Sequence, residues 1–285
     1  MFRWYEYSQV CYTYLADAAG DKIEENCRWF FRGWTLQELI APSEVLFYNR
    51  DWRFLGRKTG LAAELAEITT ISIDLLSYSF EYVGVSMRGA LNSFSVATRM
   101  AWASMRTTTR VEDAAYSLMG IFEVNMPLLY GEGANSFQRL QQEIINKSDD
   151  TSILAFTANT FNRFLLASHP SDFKDILLNV RNIAGGKSSI SLGKSEININ
   201  ILLCPANNPQ DPNTLFHAIF DCCFEKDYLA RPAILLKKIQ KNPQWFTRLY
   251  YSALYCISRN QDRPKVTNPT YSSKKYYHTT DDYSE

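Results

Sequence analysis

The character of this chain changes at Asp149-Asp150, and that change limits its fold more than any other feature. Before this point apolar residues recur at helical spacing, whereas after it they form short runs typical of strands. These runs are Ile153–Phe156, Ile190–Leu192 and Ile197–Leu203. The sequence therefore predicts a mixed α/β fold with a helix-rich domain at residues 1–150 and a small β-rich domain at residues 151–257. Residues 258–285 are rich in Ser, Thr, Asn, Lys and Tyr, which predicts a disordered polar tail.

Charge and cysteine usage narrow the choice of partners and compartment. Thirty Lys and Arg balance thirty Asp and Glu, so the basic footprint of a nucleic-acid-binding protein is missing from the totals. The chain contains no apolar run of the roughly 18 residues that a membrane helix needs. Six cysteines without regular spacing favour reduced thiols and a cytoplasmic protein. We therefore expect protein partners, without nucleic acid or a membrane span.

One carboxylate in the first domain stands out as a candidate catalytic group. The sequence predicts a helix from about Cys27 to Ile40, on which Phe31, Trp34 and Glu38 share a stripe at spacings i, i+3 and i+7. Beside two aromatic rings Glu38 would be partly desolvated, which raises the pKa of a carboxyl group and suits it to acid, base or nucleophilic work. The alternative is a glutamate on the helix surface that bonds an arginine such as Arg32.

A second polar group begins the helix predicted over 109–122. Thr109 and Glu112 have the spacing of a capping box, in which each side chain bonds a free backbone amide. The charged residues of this helix start are Arg110, Glu112 and Asp113. Carboxylates at this end suit the helix dipole, so a structural cap with an ion pair is the favoured interpretation over a functional one.

The remaining motifs do not predict a catalytic or ligand-binding site. Tyr130, Gly131, Glu132 and Gly133 predict a tight turn between two helices, with a binding loop as the alternative. Residues 184–188 end like a phosphate-binding loop but lack its first glycine, so Gly185-Gly186 predicts a hairpin turn. The three histidines are far apart, and the single His-Cys-Cys grouping does not match zinc spacing. The sequence predicts neither a metal nor a cofactor.

Several stretches together resemble one family. The segments that carry the resemblance are Met1–Tyr5, Val10–Leu15, Arg32–Pro42, Val96–Ser104, Thr109–Phe122 and Asn125–Gly133. In this order they resemble the C-terminal part of the heterokaryon incompatibility (HET) domain of fungi, over about residues 1–156. The resemblance implies that Arg32, Gly33 and the two groups at 110–113 and 130–133 are family-signature positions, which we interpret as structural.

The resemblance also implies a biological role. HET domains act in fungal allorecognition, in which contact with a genetically different nucleus triggers programmed cell death. They are thought to be distantly similar to Toll/interleukin-receptor (TIR) domains, some of which cleave NAD with a glutamate in a Trp-x-x-x-Glu-Leu context. Trp34 to Leu39 fits that pattern, so the resemblance makes Glu38 the candidate catalytic residue, with Trp34 and Phe31 as candidates for lining the pocket. NAD would then be a substrate, and the carboxylate would stabilise oxocarbenium-like charge as nicotinamide leaves.

The N-terminal portion of the family pattern is missing from this sequence. We therefore expect an N-terminally truncated HET domain with exposed sheet edges, followed by the family's variable segment at residues 157–257. The leading hypothesis is a signalling module that acts through a protein partner or self-association. One alternative is a TIR-like NAD glycohydrolase that uses Glu38, and the other is an inactive relic.

Overall fold

The computed structural model describes residues 1–77, 84–156, 166–174, 180–182, 187–193, 196–206, 214–224, 230–239, 244–248, 255–258 and 274–276. The predicted mixed α/β class is confirmed, since helices predominate up to Lys147 and strands predominate from Val180 onward. The helices are α1 (Phe2–Glu6), α2 (Thr35–Ile40), α3 (Ala62–Thr69), α4 (Ile73–Leu76), α5 (Met87–Ser93), α6 (Val96–Ala101), α7 (Asp113–Tyr116), α8 (Met119–Phe122) and α9 (Asn135–Lys147). Three 3₁₀ helices span Arg28–Phe31, Thr151–Leu154 and Pro170–Phe173 within these described ranges.

The strands fall into separate sheets. They are β1 (Cys11–Tyr14), β2 (Val45–Tyr48), β3 (Phe54–Arg57), β4 (Val180–Asn182), β5 (Ser189–Leu192), β6 (Ile197–Asn200), β7 (Leu202–Pro205), β8 (Leu215–Ile219), β9 (Cys222–Phe224), β10 (Ala230–Lys238), β11 (Trp245–Arg248), β12 (Tyr255–Ser258) and β13 (Lys274–Tyr276). The chain forms two compact units. The first comprises Met1–Phe94, Thr98–Leu140 and His169–Ser171, and the second comprises Ser95–Ala97, Gln141–Ser168 and Asp172–Glu285.

The first unit contains a three-stranded sheet in the order β1-β2-β3. β1 and β2 are parallel, so the chain between them must cross back along the sheet, and it does so through the first 3₁₀ helix and α2. β2 and β3 are antiparallel and are joined by a turn in which the side chain of Asn49 accepts from the amides of Asp51 and Arg53. Phe47 and Leu36 are fully buried and belong to the core that this arrangement creates.

Glycine permits close packing of α1, α2 and α8. A Cβ on Gly120 would lie 2.4 Å from Cβ of Phe2 and 2.6 Å from Oε1 of Gln37, so only a residue without a side chain fits here. Nε2 of Gln37 donates to the carbonyl of Ser117 at 2.5 Å. The position of α2, which carries Glu38, is therefore set by contacts with segments about 80 residues further along the chain.

The second unit is rich in strands. Its larger sheet has the order β5-β6-β13-β11-β10-β8-β7, with β12 also paired to β10, and β4 pairs with β9 in a small sheet. Long antiparallel pairing of β10 with β8 supplies its centre, where Ala233 and Ile234 are fully buried. The predicted boundaries after residues 150 and 257 stay predictions.

The predicted helix over Cys27–Ile40 is wrong, because the chain breaks at Arg32-Gly33. The amide of Gly33 donates to the carbonyl of Thr107 at 2.9 Å, and the amide of Thr107 donates to the carbonyl of Phe31 at 2.6 Å. These long-range bonds replace helical ones. A 3₁₀ helix therefore precedes the break, and α2 begins only at Thr35.

Two further local predictions are wrong. Residues 109–122 form two short helices instead of one, and the capping box is not made, because Oε1 of Glu112 binds the amides of Gly131 and Gly133. The apolar run Ile153–Phe156 is not a strand. The side chain of Asp150 accepts from the amide of Ser152 at 2.9 Å and begins a 3₁₀ helix there.

Two predictions concern residues whose structure is not described. The hairpin at Gly185-Gly186 lies outside the described residues. Of the predicted tail, only residues 258 and 274–276 are described, and both belong to strands.

Candidate functional site around Glu38

Glu38 lies in the first turn of α2 and is half-buried. The hydroxyl of Tyr5 on α1 donates a hydrogen bond to Oε1 of Glu38 at 3.1 Å. Desolvation, together with the negative charge of Glu38 and this hydrogen bond, raises the pKa of Tyr5 to about 12. Tyr5 therefore stays a neutral donor at physiological pH and holds the carboxylate in place.

A buried arginine, Arg106, interacts with the carboxylate of Glu38 through its charge. Nη1 of Arg106 donates to the carbonyl of Arg32 and to Oγ1 of Thr35, both at 2.9 Å, and Nε donates to the carbonyl of Trp102 at 3.2 Å. Nη2 is buried without a hydrogen-bond partner among the described residues. Burial lowers the pKa of Arg106 to about 9, and the charge of Glu38 offsets part of that effect. Glu38 and Arg106 thus interact through their opposite charges, and Glu38 is the counter-charge of the desolvated guanidinium.

A second buried cation completes the cluster. Lys58 follows β3 and is 1% exposed, and its ammonium donates to the carbonyls of Leu39 and Pro42 at the end of α2. Burial lowers its pKa to about 7. The thiol of Cys11 on β1 is half-buried, and desolvation raises its pKa. The charge of Glu38 raises this pKa further, and the charge of Lys58 lowers it. Lys58 therefore changes charge near neutral pH.

The cluster has two possible uses. A half-buried carboxylate with a fixed hydrogen-bond donor can stabilise a developing positive charge on a bound substrate. The same carboxylate also offsets the charge of buried Arg106, which stabilises the fold whether or not a substrate binds. Both uses need the negative charge of Glu38.

The two aromatic rings proposed beside Glu38 do not share a helix with it. Phe31 ends the 3₁₀ helix and Trp34 precedes α2, so the predicted i, i+3, i+7 stripe is wrong, although both rings are half-buried. Tyr5 is the aromatic residue that hydrogen-bonds to Glu38. The pocket-lining role of Phe31 and Trp34 stays a prediction.

Arg32 and Gly33 occupy the break before α2. The side chain of Arg32 is exposed, and its carbonyl accepts from Arg106. A Cβ on Gly33 would lie 2.5 Å from Cγ2 of Thr108 and 3.2 Å from Oγ of Ser117. Gly33 is therefore needed for the close approach of two chain segments, which favours the structural interpretation of this signature position.

The structure brings the two later signature groups together. Oε1 of Glu112 accepts from the amide of Gly131 at 2.8 Å and from the amide of Gly133 at 3.1 Å. Hydrogen bonds from its own amide and from these two lower the pKa of Glu112. Both glycines have positive φ, +105° and +59°, so the backbone that presents these amides is one that glycine adopts easily.

The same loop is tied down by aromatic and charged contacts. Arg110 stacks over the ring of Tyr130 at 4.7 Å, and the hydroxyl of Tyr130 donates to Oδ1 of Asp113 at 3.0 Å. Oε1 of Glu132 accepts from the hydroxyl of Tyr116 at 2.8 Å and from Nη2 of Arg139 at 2.5 Å. Residues 110–113 and 130–133 therefore bind one another, which favours a structural clamp over an open binding loop.

Sequence reasoning missed most of the cluster around Glu38. Tyr5, Cys11, Lys58 and Arg106 were not candidates, because each is brought to Glu38 by tertiary structure. Lys58 stands among polar residues and glycines that give no sign of its burial. For Arg106 one signal existed, since it directly follows the mostly apolar stretch Ala101–Met105.

The described residues contain no group of three or more His, Cys, Asp or Glu side chains placed to hold a metal ion. Within the same part of the chain, no helix has the length and apolarity to cross a membrane.

The fold and the site define a mixed α/β protein in which two signature segments bond one another and a half-buried carboxylate is paired with Tyr5 and buried Arg106. Its sequence is similar to a protein of known role. Over 161 aligned residues it is 42% identical to the vegetative incompatibility protein HET-E-1 of Podospora anserina, a match that covers 52% of this chain and 11% of that protein. The chain thus spans about a tenth of the length of this relative. The similarity supports the predicted relation to heterokaryon incompatibility proteins.

Two other comparisons found no relative. No family model matches the sequence. No solved structure matches it either.

Proposed function

We propose that this chain is a signalling module of fungal vegetative incompatibility that promotes programmed cell death by binding a protein partner or another copy of itself. The observation that carries this proposal is the 42% identity to HET-E-1 over 161 residues. At that level of identity over so long a stretch, related chains share a fold and commonly a general role.

The geometry of the signature residues gives them structural roles, which is compatible with a module that acts by binding. The charged and aromatic groups at 110–113 and 130–133 bond each other, and Gly33 serves a close approach of two segments. Oε1 of the candidate catalytic carboxylate also already accepts a hydrogen bond from Tyr5. These contacts therefore hold the folded chain in a fixed shape, and a module that acts by binding needs no further chemistry from these residues.

The test is inducible expression of the 285-residue chain in a fungal host. We expect loss of viability on induction, scored by colony counts and uptake of a membrane-impermeant dye. Gly33→Val is the matched inactive control, because its Cβ would collide with Thr108 and disturb the fold. Full viability with a native chain that is present at normal levels and folded would contradict the proposal.

One observation favours a second candidate function, a TIR-like NAD glycohydrolase. Glu38 is half-buried, its Oε1 is positioned by the hydroxyl of Tyr5, and it lies in the field of buried Arg106. A carboxylate held in this way could stabilise the oxocarbenium-like charge that develops when nicotinamide leaves NAD. In this alternative Glu38 is the catalytic residue.

Purified protein separates the two candidates. Consumption of NAD by the native chain is compared with that of Glu38→Gln and of Glu64→Gln, a control at an exposed glutamate of α3. NAD loss that persists in Glu64→Gln and disappears in a Glu38→Gln variant whose circular dichroism and unfolding midpoint show a retained fold would establish the enzyme. Absence of NAD loss from the folded native chain removes this second candidate and leaves the first.

A further inference from the structure

Within the part of the chain that the structure describes, β1 is the edge of the three-stranded sheet and no strand pairs with its outer side. The amide of Cys11 donates to the carbonyl of Glu44 at 2.9 Å, and that of Leu15 donates to the carbonyl of Tyr48 at 2.8 Å. In a parallel pair alternate residues make these bonds, so the backbone groups of Tyr12 and Tyr14 point away from β2. Among the described residues, β2 is the strand that pairs with β1, and the outer edge has no partner.

This edge lacks the features by which proteins normally block unwanted pairing. Free edges are usually protected by charged side chains, proline or a bulge. The opposite edge strand, β3, has an irregular register beside Phe47 and Tyr48 and carries Arg57. In contrast, residues 7–16 around β1 contain no charged residue and no proline. β1 can therefore accept a further strand without electrostatic repulsion.

Both tyrosines at the open edge have ring contacts within the chain, and Tyr14 is held in place before any partner binds. The ring of Tyr14 stacks on that of Trp52 at 4.7 Å, and its hydroxyl donates to the carbonyl of Arg50 at 3.0 Å. The ring of Tyr12 lies 6.1 Å from that of Tyr48. Even so, Tyr12 is 63% exposed and Tyr14 is 40% exposed. Rings that are already ordered lose little conformational entropy on association.

The edge is complementary to itself. Tyr12-Thr13-Tyr14 is the same sequence read in either direction. If two copies pair antiparallel about a twofold axis at Thr13, Tyr12 of one copy faces Tyr14 of the other, and each such pair exchanges both of its backbone hydrogen bonds. Two pairs give four backbone hydrogen bonds, and each pair also places two tyrosine rings side by side.

Thr13 provides an independent observation. Its side chain is 3% exposed, and its hydroxyl is buried without a hydrogen-bond partner among the described residues. In the twofold register the two Thr13 residues form the closely spaced, non-hydrogen-bonded pair of the ladder, where threonine hydroxyls can bond one another. The same arrangement therefore gives a partner to a buried hydroxyl that has none in the single chain.

From these features we infer that β1 is the self-association surface of this protein, which forms a closed twofold dimer by antiparallel pairing of Tyr12-Thr13-Tyr14 with the same segment of a second copy. The inference rests on the proposed function, which it deepens by assigning the surface and the partner. The twofold axis uses each β1 edge once, so the assembly closes at two copies.

Sedimentation or light scattering of the full chain over a range of concentrations tests the inference. Tyr12→Lys places a charge opposite Tyr14 of the second copy in both pairs of the dimer. Since Tyr12 is exposed, the fold should be preserved, as circular dichroism would show. The matched control is Tyr7→Lys, which changes a 78% exposed tyrosine at the end of α1, outside the strand. We expect a native dimer, a dissociation constant raised at least about tenfold in Tyr12→Lys, and an unchanged constant in Tyr7→Lys.

Amide hydrogen exchange of the native chain, resolved to single residues, provides a second measurement that needs no variant. At concentrations that favour the dimer, exchange at Tyr12 and Tyr14 should slow, while Thr13, whose amide already faces β2, should change little. A chain that remains monomeric at all concentrations would overturn the inference. So would a dimer that Tyr12→Lys and Tyr7→Lys affect equally, or one without protection at Tyr12 and Tyr14.

The dimer test and the viability test can fail independently of each other. A monomer that still kills the fungal host would refute the β1 surface and leave the signalling role intact. A dimer of the expected kind that has no effect on viability would refute the signalling role and leave the surface intact.

Discussion

Lys58 gives the fold a pH dependence that a single substitution should remove. Its ammonium is 1% exposed, and burial lowers its pKa from 10.5 to about 7. In the unfolded chain the lysine keeps its ordinary pKa. Between pH 7 and pH 10.5 the unfolded state therefore binds more protons than the folded state, and stability rises with pH.

The magnitude follows from linkage. One proton of difference changes the free energy of unfolding by about 1.4 kcal/mol per pH unit. Because the folded pKa is about 7, the full slope is reached only above that value, and the expected gain between pH 7 and pH 9 is about 2 kcal/mol. Above about pH 9 other groups also contribute. The raised pKa values of the Cys11 and Cys27 thiols lower stability as pH rises, whereas the lowered pKa of Arg106 raises it.

The assay is urea unfolding followed by tryptophan fluorescence, since Trp29, Trp34 and Trp102 all belong to the first unit. The native chain is compared with Lys58→Met at pH 7, 8 and 9. Methionine leaves the carbonyls of Leu39 and Pro42 without this donor, so absolute stability should fall at every pH. The informative quantity is therefore the slope with pH, which should be lost in the variant.

Two results would refute this reasoning. A native stability that is flat between pH 7 and pH 9 would mean that Lys58 is not desolvated as described. An equal slope in Lys58→Met would assign the pH dependence to another group.

Three further predictions concern residues of the first unit. Gly33→Ala should destabilise the fold by about 1–3 kcal/mol in urea unfolding, because its Cβ would lie 2.5 Å from Cγ2 of Thr108. Adding Thr108→Ser removes that methyl group and should recover part of the lost stability. Equal stability of the single and double variants would contradict the stated contact. Glu112→Gln should increase proteolysis within residues 130–133 at pH 7. In the native chain proteolysis of this loop should also increase as pH falls through the lowered pKa of Glu112, and in the variant it should not depend on pH in this way. An unchanged cleavage rate would show that this carboxylate does not hold the loop. Thr13→Val should stabilise the monomer by about 1 kcal/mol, since it removes a buried hydroxyl without a partner, and it should weaken the dimer in sedimentation; a loss of monomer stability would instead indicate that the hydroxyl has a partner.

Local sequence pattern was sufficient where local interactions decide the structure. Residues 1–150 were predicted to be helix-rich because apolar residues recur there at helical spacing, and in α9 Phe137, Leu140 and Ile144 are buried as that spacing requires. The mixed α/β class followed from the change of pattern near residue 150. These elements need little information from distant parts of the chain.

The predictions failed where long-range contacts override local preference. The helix expected over Cys27–Ile40 is interrupted because Gly33 bonds Thr107, which is 74 residues away. The capping role expected for Glu112 was lost to amides about 20 residues further along. The burial of Lys58 depends on the packing of β3 beside the end of α2, which no local pattern reveals. The candidate site was thus predictable at Glu38 itself and not in the residues that surround it.

The central claim is that the chain signals by binding and not by consuming NAD, and one measurement tests it most directly. Viability and cellular NAD are recorded in a fungal host after induction of the native chain, Glu38→Gln and Glu64→Gln, each at matched protein level. The account predicts that all three reduce viability while NAD stays constant until cells die. A fall in NAD that precedes death, with both effects lost in Glu38→Gln alone, would contradict it and assign the activity to a glycohydrolase.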